Sequence, residues 1–329
     1  MATKARTYAG TPGNLAFLAR RLKAGEIVAV PTETVYGLAG DATSAEACLK
    51  IFAAKGRPTD DPLIVHIAAL RDLERVALAN PEARLLARAF WPGPLTLVLP
   101  KTPLVPDLAT AGLPSVAVRM PSHPLFRKLI RLSGVPLAAP SANPFGYVSP
   151  TSAAHVAKHL GRRIRYILDG GSSSIGLEST IVDLRNPRRP VLLRPGAITR
   201  DELGRVLGVT VARRRASGAG ARVAPGQMAR HYSPRTRVVL HAGLTFTQAA
   251  HGAHNAAWLF IGKPAVLGTI PANIFWLDPI GYLRRAARRL FSVLRELDEG
   301  GFSAIHVERP KGGGIAEALL DRLARAASR

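Results

Sequence analysis

Residues Ala53–Ile67 read AAKGRPTDDPLIVHI, and the fold class turns on them. A helical pattern ends near Lys55. Gly56 and Pro58 block its continuation, and an apolar strand, Leu63–Ile67, begins just after Pro62. Thr43 and Glu46 stand in capping-box spacing and open that helix. A helix, a breaker loop and a buried strand within about 25 residues are the repeating grammar of an α/β sheet. Lys55 and Arg57 flank the glycine. A Lys and an Arg presented together suit phosphate oxygens, one as a point charge and the other as a fork. They equally suit the carboxyl end of a helix dipole. Asp60 and Asp61 read as turn formers, and His66 by itself reads as a core histidine.

The same alternation extends in both directions. Leu15, Leu18 and Leu22 recur at helical spacing and lead, past Gly25, into a strand at Ile27–Val30. Further strands are predicted at 95–99, 116–119, 135–139, 166–168, 180–184 and 191–194, with helices at 81–90, 123–132 and 151–160. Thr199 and Glu202 open one more helix in capping-box spacing. Such a sheet mixes parallel and antiparallel strands. From Val211 the periodicity stops, and VARRRASGAGARVAPGQMARHYSP reads as a linker. Beyond it, strands at 238–240, 257–261, 274–277 and 304–307 alternate with helices at 282–298 and 315–327. The expected organisation is an α/β domain over 1–210, a linker over 211–235 and a smaller α/β domain over 236–329.

Composition narrows the function classes. The 329 residues carry a formal charge of +23, spread over both halves, which attracts polyanions and multiply charged nucleotides. No run reaches the roughly 18 apolar residues of a membrane span, and no secretory signal opens the sequence. One cysteine, Cys48, excludes a disulfide framework and a cysteine metal cluster, and fits a reducing cytoplasm. Phosphate-loop, dinucleotide and nucleophile-elbow motifs are absent. His155 and His159 stand four apart, but HVAKH lacks a zincin's glutamate, and solvated histidines are the commoner reading. KGGGIAEALLDRL, from Lys311, has the shape of a strand–glycine loop–helix cradle, although such glycines more often only let the chain turn.

The stronger signal is a set of strand-end loops. VPTETVYGLAGDA follows a strand with Thr32, Glu33, Thr34 and Tyr36, where Gly37 and Gly40 permit tight turns. VAVRMP puts Arg119 at a strand end. AAPSANPFGYVSPTS supplies Ser141, Asn143, Ser149 and Thr151, and GLESTIVDL and LLRPG supply Ser179, Thr180 and Arg194. Each loop is weak alone. Together they predict one pocket for a nucleotide and a small polar molecule. An RNA-binding protein is the rival reading from charge, but it leaves the hydroxyl loops unexplained and lacks an aromatic platform.

These pieces, in order, also carry a resemblance. PTETVYGL, KGRP, PLIVHI, RMP, PSAN, SPTS, ESTIVD and LRPG resemble the threonylcarbamoyl-AMP synthase family, the YrdC-like proteins. PGQMARHYSP and the trailing domain resemble its long, two-domain form. The family's linker motif reads PGM, and here Gln227 intervenes before Met228, with His231 and Tyr232 in place. A related carbamoyl-adenylating domain of hydrogenase maturation carries cysteine-rich zinc segments, which a single cysteine excludes. The resemblance implies a YrdC-like mixed-sheet α/β domain, a linker and a smaller Rossmann-like α/β domain. It implies a nucleotidyltransferase that joins L-threonine, bicarbonate and ATP into threonylcarbamoyl-AMP for modification of tRNA beside the anticodon. Lys55 and Arg57 would be catalytic. Lys55, Arg57, Asn143, Ser149, Thr151, Arg194 and Tyr232 would hold ATP. Thr34, Tyr36, His66, Arg119, Ser141 and Ser179 would hold threonine. Mg²⁺ would come with ATP, without a protein metal cage. A downstream threonylcarbamoyl transferase and tRNA would be further partners, with no membrane. PGQMARHYSP would fold over the pocket as a lid, with Tyr232 reaching the nucleotide.

Overall fold

The computed structural model describes residues 4–213, 224, 231–266 and 268–328. Among them, eleven strands form one mixed sheet. Its order is 6–9, 166–169, 28–30, 37–41, 137–138, 64–66, 115–119, 95–100, 180–183, 191–194 and 212–213. The expected mixture of parallel and antiparallel pairs is present. Ile64–His66, for example, runs parallel to Ser115–Arg119 and antiparallel to Leu137–Ala138. A second, four-stranded sheet is wholly parallel, in the order Arg237–His241, Ala304–Glu308, Ala257–Gly262, Ile274–Asp278. Helices Leu283–Glu299 and Ile315–Ala327 pack their apolar stripes on one face of it.

Register explains what faces the site. His66 pairs with Arg119, and Arg119 with Thr96 on its other side. Because side chains alternate along a strand, these three form a polar row across one face. Two residues away, Ile64, Ala117 and Val98 form an apolar shelf on that same face with Ile181, and Ala224 packs onto it. Val65, Leu97, Val118 and Val182 point the other way, into the main core.

Several local expectations change. Thr43 does not cap the helix Ala45–Lys55. Ser44 does, with extended φ −105° and its Oγ accepting from the Ala47 amide at 3.2 Å. The Thr43 hydroxyl instead donates to Asp41 Oδ1 at 2.7 Å. Gly37–Asp41 is a strand rather than a turn, antiparallel to Val28–Val30. Its glycines serve close approach: a Cβ on Gly37 would stand 3.2 Å from Ala139 Cβ, and one on Gly40 3.1 Å from Ile51 Cδ1. Gly56 does end its helix in the left-handed region, at φ +62°. Thr199 and Glu202 form the expected reciprocal box, opening Arg200–Leu207. The strands at Arg6–Ala9 and Ala212–Arg213 are short and mostly exposed and lack a sequence signal, whereas the helix Phe246–Ala250 is opened by an unread capping box, Thr245 with Gln248. Ala212–Arg213 pairs with Val191–Arg194, so the large sheet extends past residue 210.

The second sheet's core does not stop at its own domain. Val35, Val148, Leu177 and Tyr232 are buried in one cluster with Leu290, Phe291 and Leu294. Arg295, buried, donates to the carbonyls of Val148 and Ser149 across the same seam. Among the described residues, no helix is long and apolar enough to cross a membrane.

Candidate active site

The loop after Val28–Val30 folds on itself first. The Thr34 hydroxyl donates to Thr32 Oγ1 (2.8 Å), which donates in turn to the Val35 carbonyl (2.6 Å). Neighbouring loops clamp this turn through backbone. The Ile175 amide donates to Glu33 O, the Tyr36 amide to Pro150 O and the Ala142 amide to Tyr36 O. Gly37 bridges Ser141. Three segments far apart in sequence therefore meet at the polar face of the sheet. They enclose one small, narrow cleft of about 40 Å³.

One wall is built on Arg119. Its Nη1 donates to Thr34 Oγ1 (2.9 Å), its Nε to Gly93 O (3.2 Å), and its Nη2 lies 2.8 Å from Glu33 Oε1. Burial pushes the Glu33 carboxyl up, but the guanidinium more than offsets this and holds it below its ordinary value. Paired with Glu33 in this way, Arg119 still lines the cleft. His66 lies beside it. Burial and the Arg119 charge push its pKa down to about 3, so the ring is neutral, and its buried Nδ1 has no hydrogen-bond partner.

The opposite wall is cationic. The Arg57 Nη2 donates to Pro62 O (2.7 Å) and pairs with Asp61 Oδ2 at 3.1 Å. Asp61 is fully buried, so it is the ionic partner of Arg57 and not merely a turn former. Arg194 holds Ser179, with Nε on its carbonyl (3.0 Å) and Nη2 on its hydroxyl (3.1 Å). Ser179 Oγ also shares a 2.7 Å bond with Thr96. His231 closes the cleft, held neutral by burial and by Arg57, Lys55 and Arg194. Tyr232 follows at φ +61°.

Residues 20–196 match the family model described as "Telomere recombination", and residues 198–328 the one described as "Threonylcarbamoyl-AMP synthase, C-terminal domain". A threonylcarbamoyl-AMP synthase of Pyrococcus abyssi is 43% identical over 312 residues, covering 93% of this chain and 91% of the relative. One of Bacillus subtilis is 39% identical over 337 residues, covering 95% and 92%. The crystal structure of P. abyssi Sua5 complexed with L-threonine superposes with a TM-score of 0.89 at 39% identity, covering 99% of this chain and 98% of that one. The chain belongs to the two-domain threonylcarbamoyl-AMP synthase family.

Of the residues expected at a synthase site, Thr34, Arg57, His66, Arg119, Ser141, Ser179, Arg194 and Tyr232 all line this cleft. Five others stand behind it. Lys55, buried, donates from Nζ to the carbonyls of Ser141 (2.5 Å) and Asn143 (2.7 Å), and burial with the Arg57 charge holds its pKa well below the usual lysine value. Here it braces the Ser141 loop. The Tyr36 hydroxyl donates to Gly171 O (2.7 Å). Asn143 donates to Pro144 O and Tyr147 O, with its Oδ1 buried and unpartnered. Ser149 donates to Glu178 (2.5 Å), and Thr151 Oγ1 lies 3.0 Å from Ser292 Oγ. Residues 143–151 run beneath the second domain, where Thr151 meets Ser292 and Arg295 takes the Val148 and Ser149 carbonyls, while Asn143 and Ser149 spend their side chains within the first domain.

Glu178, Val35, Ile64, Ala139 and Pro140 line the cleft without having been singled out, and His231, named only within the linker motif, lines it too. Glu178 directly precedes Ser179, and its position in ESTIVD was the available signal. Gln227 and Met228 lie outside the described residues, as does most of the expected lid. His155 accepts from the Thr151 amide and His159 lies against Tyr147 at 4.7 Å. Among the described residues no three potential ligands gather to hold a metal. The glycine loop before Ile315–Ala327 packs at Thr199, which lies 3.4 Å from the place of a Gly314 Cβ.

Proposed function

We infer that the chain joins L-threonine, bicarbonate and ATP into threonylcarbamoyl-AMP and releases pyrophosphate. The observation that carries this is one cleft with a single arginine, Arg119, set among the hydrogen-bonding groups of Thr34 and His66 in one half, and two arginines, Arg57 and Arg194, in the other. Two substrates of different charge need those two halves. Threonine's amine and bicarbonate give a carbamate and water. A carbamate oxygen attacks the α-phosphorus in line, the α–β bridging bond breaks, and pyrophosphate leaves.

Little nucleophile chemistry is asked of the protein, so positioning and charge neutralisation dominate. Arg119 would pair the threonine carboxylate, while Thr34, His66, Ser141 and Ser179 bound its amine and hydroxyl. Tyr36 would support that pocket from behind, through the Gly171 loop. Arg57 and Arg194 would neutralise the phosphates. Lys55 would contribute by bracing Ser141, and Asn143, Ser149 and Thr151 by shaping the loop under the nucleotide. His231 and Tyr232 would close over it and keep water from the carbamate. A wall of arginines offers no carboxylate cage, so Mg²⁺ would enter as part of the MgATP substrate.

Residues 1–210 would form the catalytic unit, 211–235 the closing segment and 236–329 a docked α/β domain. A downstream transferase would take the threonylcarbamoyl group to tRNA, and the +23 charge favours an encounter with that polyanion. The lone, buried Cys48 fits a reducing cytoplasm. The test is mass spectrometry of reactions with ATP, bicarbonate and threonine. Threonylcarbamoyl-AMP is expected only with all three. Pyrophosphate released without bicarbonate, or product without threonine, would refute the reading.

A further inference from the structure

Arg322 lies on the C-terminal helix Ile315–Ala327, and its side chain is fully buried. Its guanidinium reaches into the first domain. Nε donates to Glu178 Oε2 (2.7 Å), Nη2 to Pro195 O (3.1 Å) and Nη1 to Asp321 Oδ2 (2.6 Å). The same group sits 5.1 Å from the centre of the Tyr232 ring. The second oxygen of Glu178 accepts from Ser149 (2.5 Å), so both its oxygens are engaged. Glu178 and Tyr232 both line the cleft. Tyr232 stands at φ +61°, a conformation tyrosine keeps only where its surroundings impose it. Phe291, from the second domain, stacks on its ring at 5.7 Å and 28°.

A buried ion pair between domains is a poor adhesive, since apolar residues of the same size often hold as well or better. The arrangement makes more sense for what it does to the cleft. Glu178 directly precedes Ser179, whose carbonyl and hydroxyl Arg194 holds, so its carboxylate stands in the same cleft beside the phosphate-side cation. An unclaimed Glu178 would turn toward Arg194 and cancel the charge meant for a phosphate.

Resting on the functional reading above, we propose that Arg322 is a positioning residue of the synthase site. Supplied by the C-terminal domain, it claims Glu178 away from Arg194 and fixes the Tyr232 ring, so that the ATP half of the cleft is assembled only when that domain is docked. The threonine half, on Arg119 and His66, makes no contact with it.

The test compares full-length Arg322→Met, Arg322→Lys, Glu178→Gln and the double variant Arg322→Met with Glu178→Gln. Binding of MgATP and of threonine is measured by calorimetry, melting temperature is recorded, and kcat is separated from KM. Arg322→Met should weaken MgATP at least tenfold and threonine less than threefold, with KM for ATP rising and kcat at saturation within threefold. Adding Glu178→Gln should restore MgATP binding to within threefold, because no carboxylate is left to compete for Arg194. Unchanged MgATP affinity in a variant that melts like the parent would overturn the proposal. So would parallel loss of both ligands with melting temperature, or a double variant that is not rescued. If Arg322→Met does not fold, Arg322→Lys, which keeps the charge but loses the fork, is judged by the same criteria. A parent chain that binds MgATP yet makes no threonylcarbamoyl-AMP would defeat the functional reading alone, and the binding comparison would still decide the role of Arg322.

Discussion

Arg119 and Arg57 are both arginines with buried carboxylate partners, yet their geometry gives them different work. Arg119 pairs with Glu33 and lines the cleft beside Thr34 and His66, whereas Arg57 lines it beside Arg194 and His231. Arg119→Lys replaces the fork by a point charge, so KM for threonine should rise at least tenfold while KM for ATP moves less than threefold. Equal effects on both substrates in steady-state kinetics would contradict the assignment. Asp61 is the counter-case, a residue whose importance no local pattern announces. Its carboxylate pairs with Arg57 at 0% exposure. Asp61→Ala should destabilise the chain by about 3 kcal/mol, because a buried cation loses its ionic partner. Urea unfolding measures it, and a change below about 1 kcal/mol would mean that water reaches the site. The signal DDP suited a turn equally well, and only burial separates the two readings.

Among elements, the helix Ala45–Lys55 shows what periodicity and caps do and do not fix. Its last turn and the Gly56 stop were legible, because φ > 0 suits glycine at that point. Its first residue was not. Thr43 and Ser44 are adjacent, both are good caps, and Asp41 decides between them by taking the Thr43 hydroxyl. Ser44→Ala should therefore cost about 1 kcal/mol in denaturant unfolding, the usual value of a lost cap. A smaller loss than that of Thr43→Ala would reverse the assignment. The strands that carry the site were legible as strands. Their partners were not, and pairing is what sets His66 beside Arg119 and Arg119 beside Thr96. A one-residue slip would send all three into the apolar core.

For the molecule as a whole, the shared core and the buried histidines set the expected behaviour. A chain ended after Leu207 would uncover Val35, Val148 and Leu177 and lose Arg295 and Arg322 from the seam. It should melt lower, bind an apolar dye and make no product; full turnover would show that the second domain and the closing segment are dispensable. His66 is held at about pH 3, His155 and His159 at about 4, and His123 and His231 also below their ordinary value, in every case first by burial. The unfolded chain takes up protons near pH 6.5 that the folded chain refuses. This contribution is complete above that pH and is lost as pH falls toward 4. Melting temperature should drop between pH 7 and pH 5, and His66→Gln should soften the drop; a flat profile would contradict it.

The sequence by itself determined the α/β class, most of the helices and strands, the two-sheet order along the chain and the family, because periodicity, breakers and contiguous motifs are local. It also named eight residues of the cleft, six from loops with a polar signature and two, His66 and Tyr232, from the family motifs PLIVHI and PGQMARHYSP. Only the tertiary structure decided which of those loops face one another. It moved Lys55, Tyr36, Asn143, Ser149 and Thr151 behind the wall, and it brought Glu178 and Arg322 together across 144 residues of chain. That contact depends on where the C-terminal helix docks, and docking follows from apolar faces that no linear motif records.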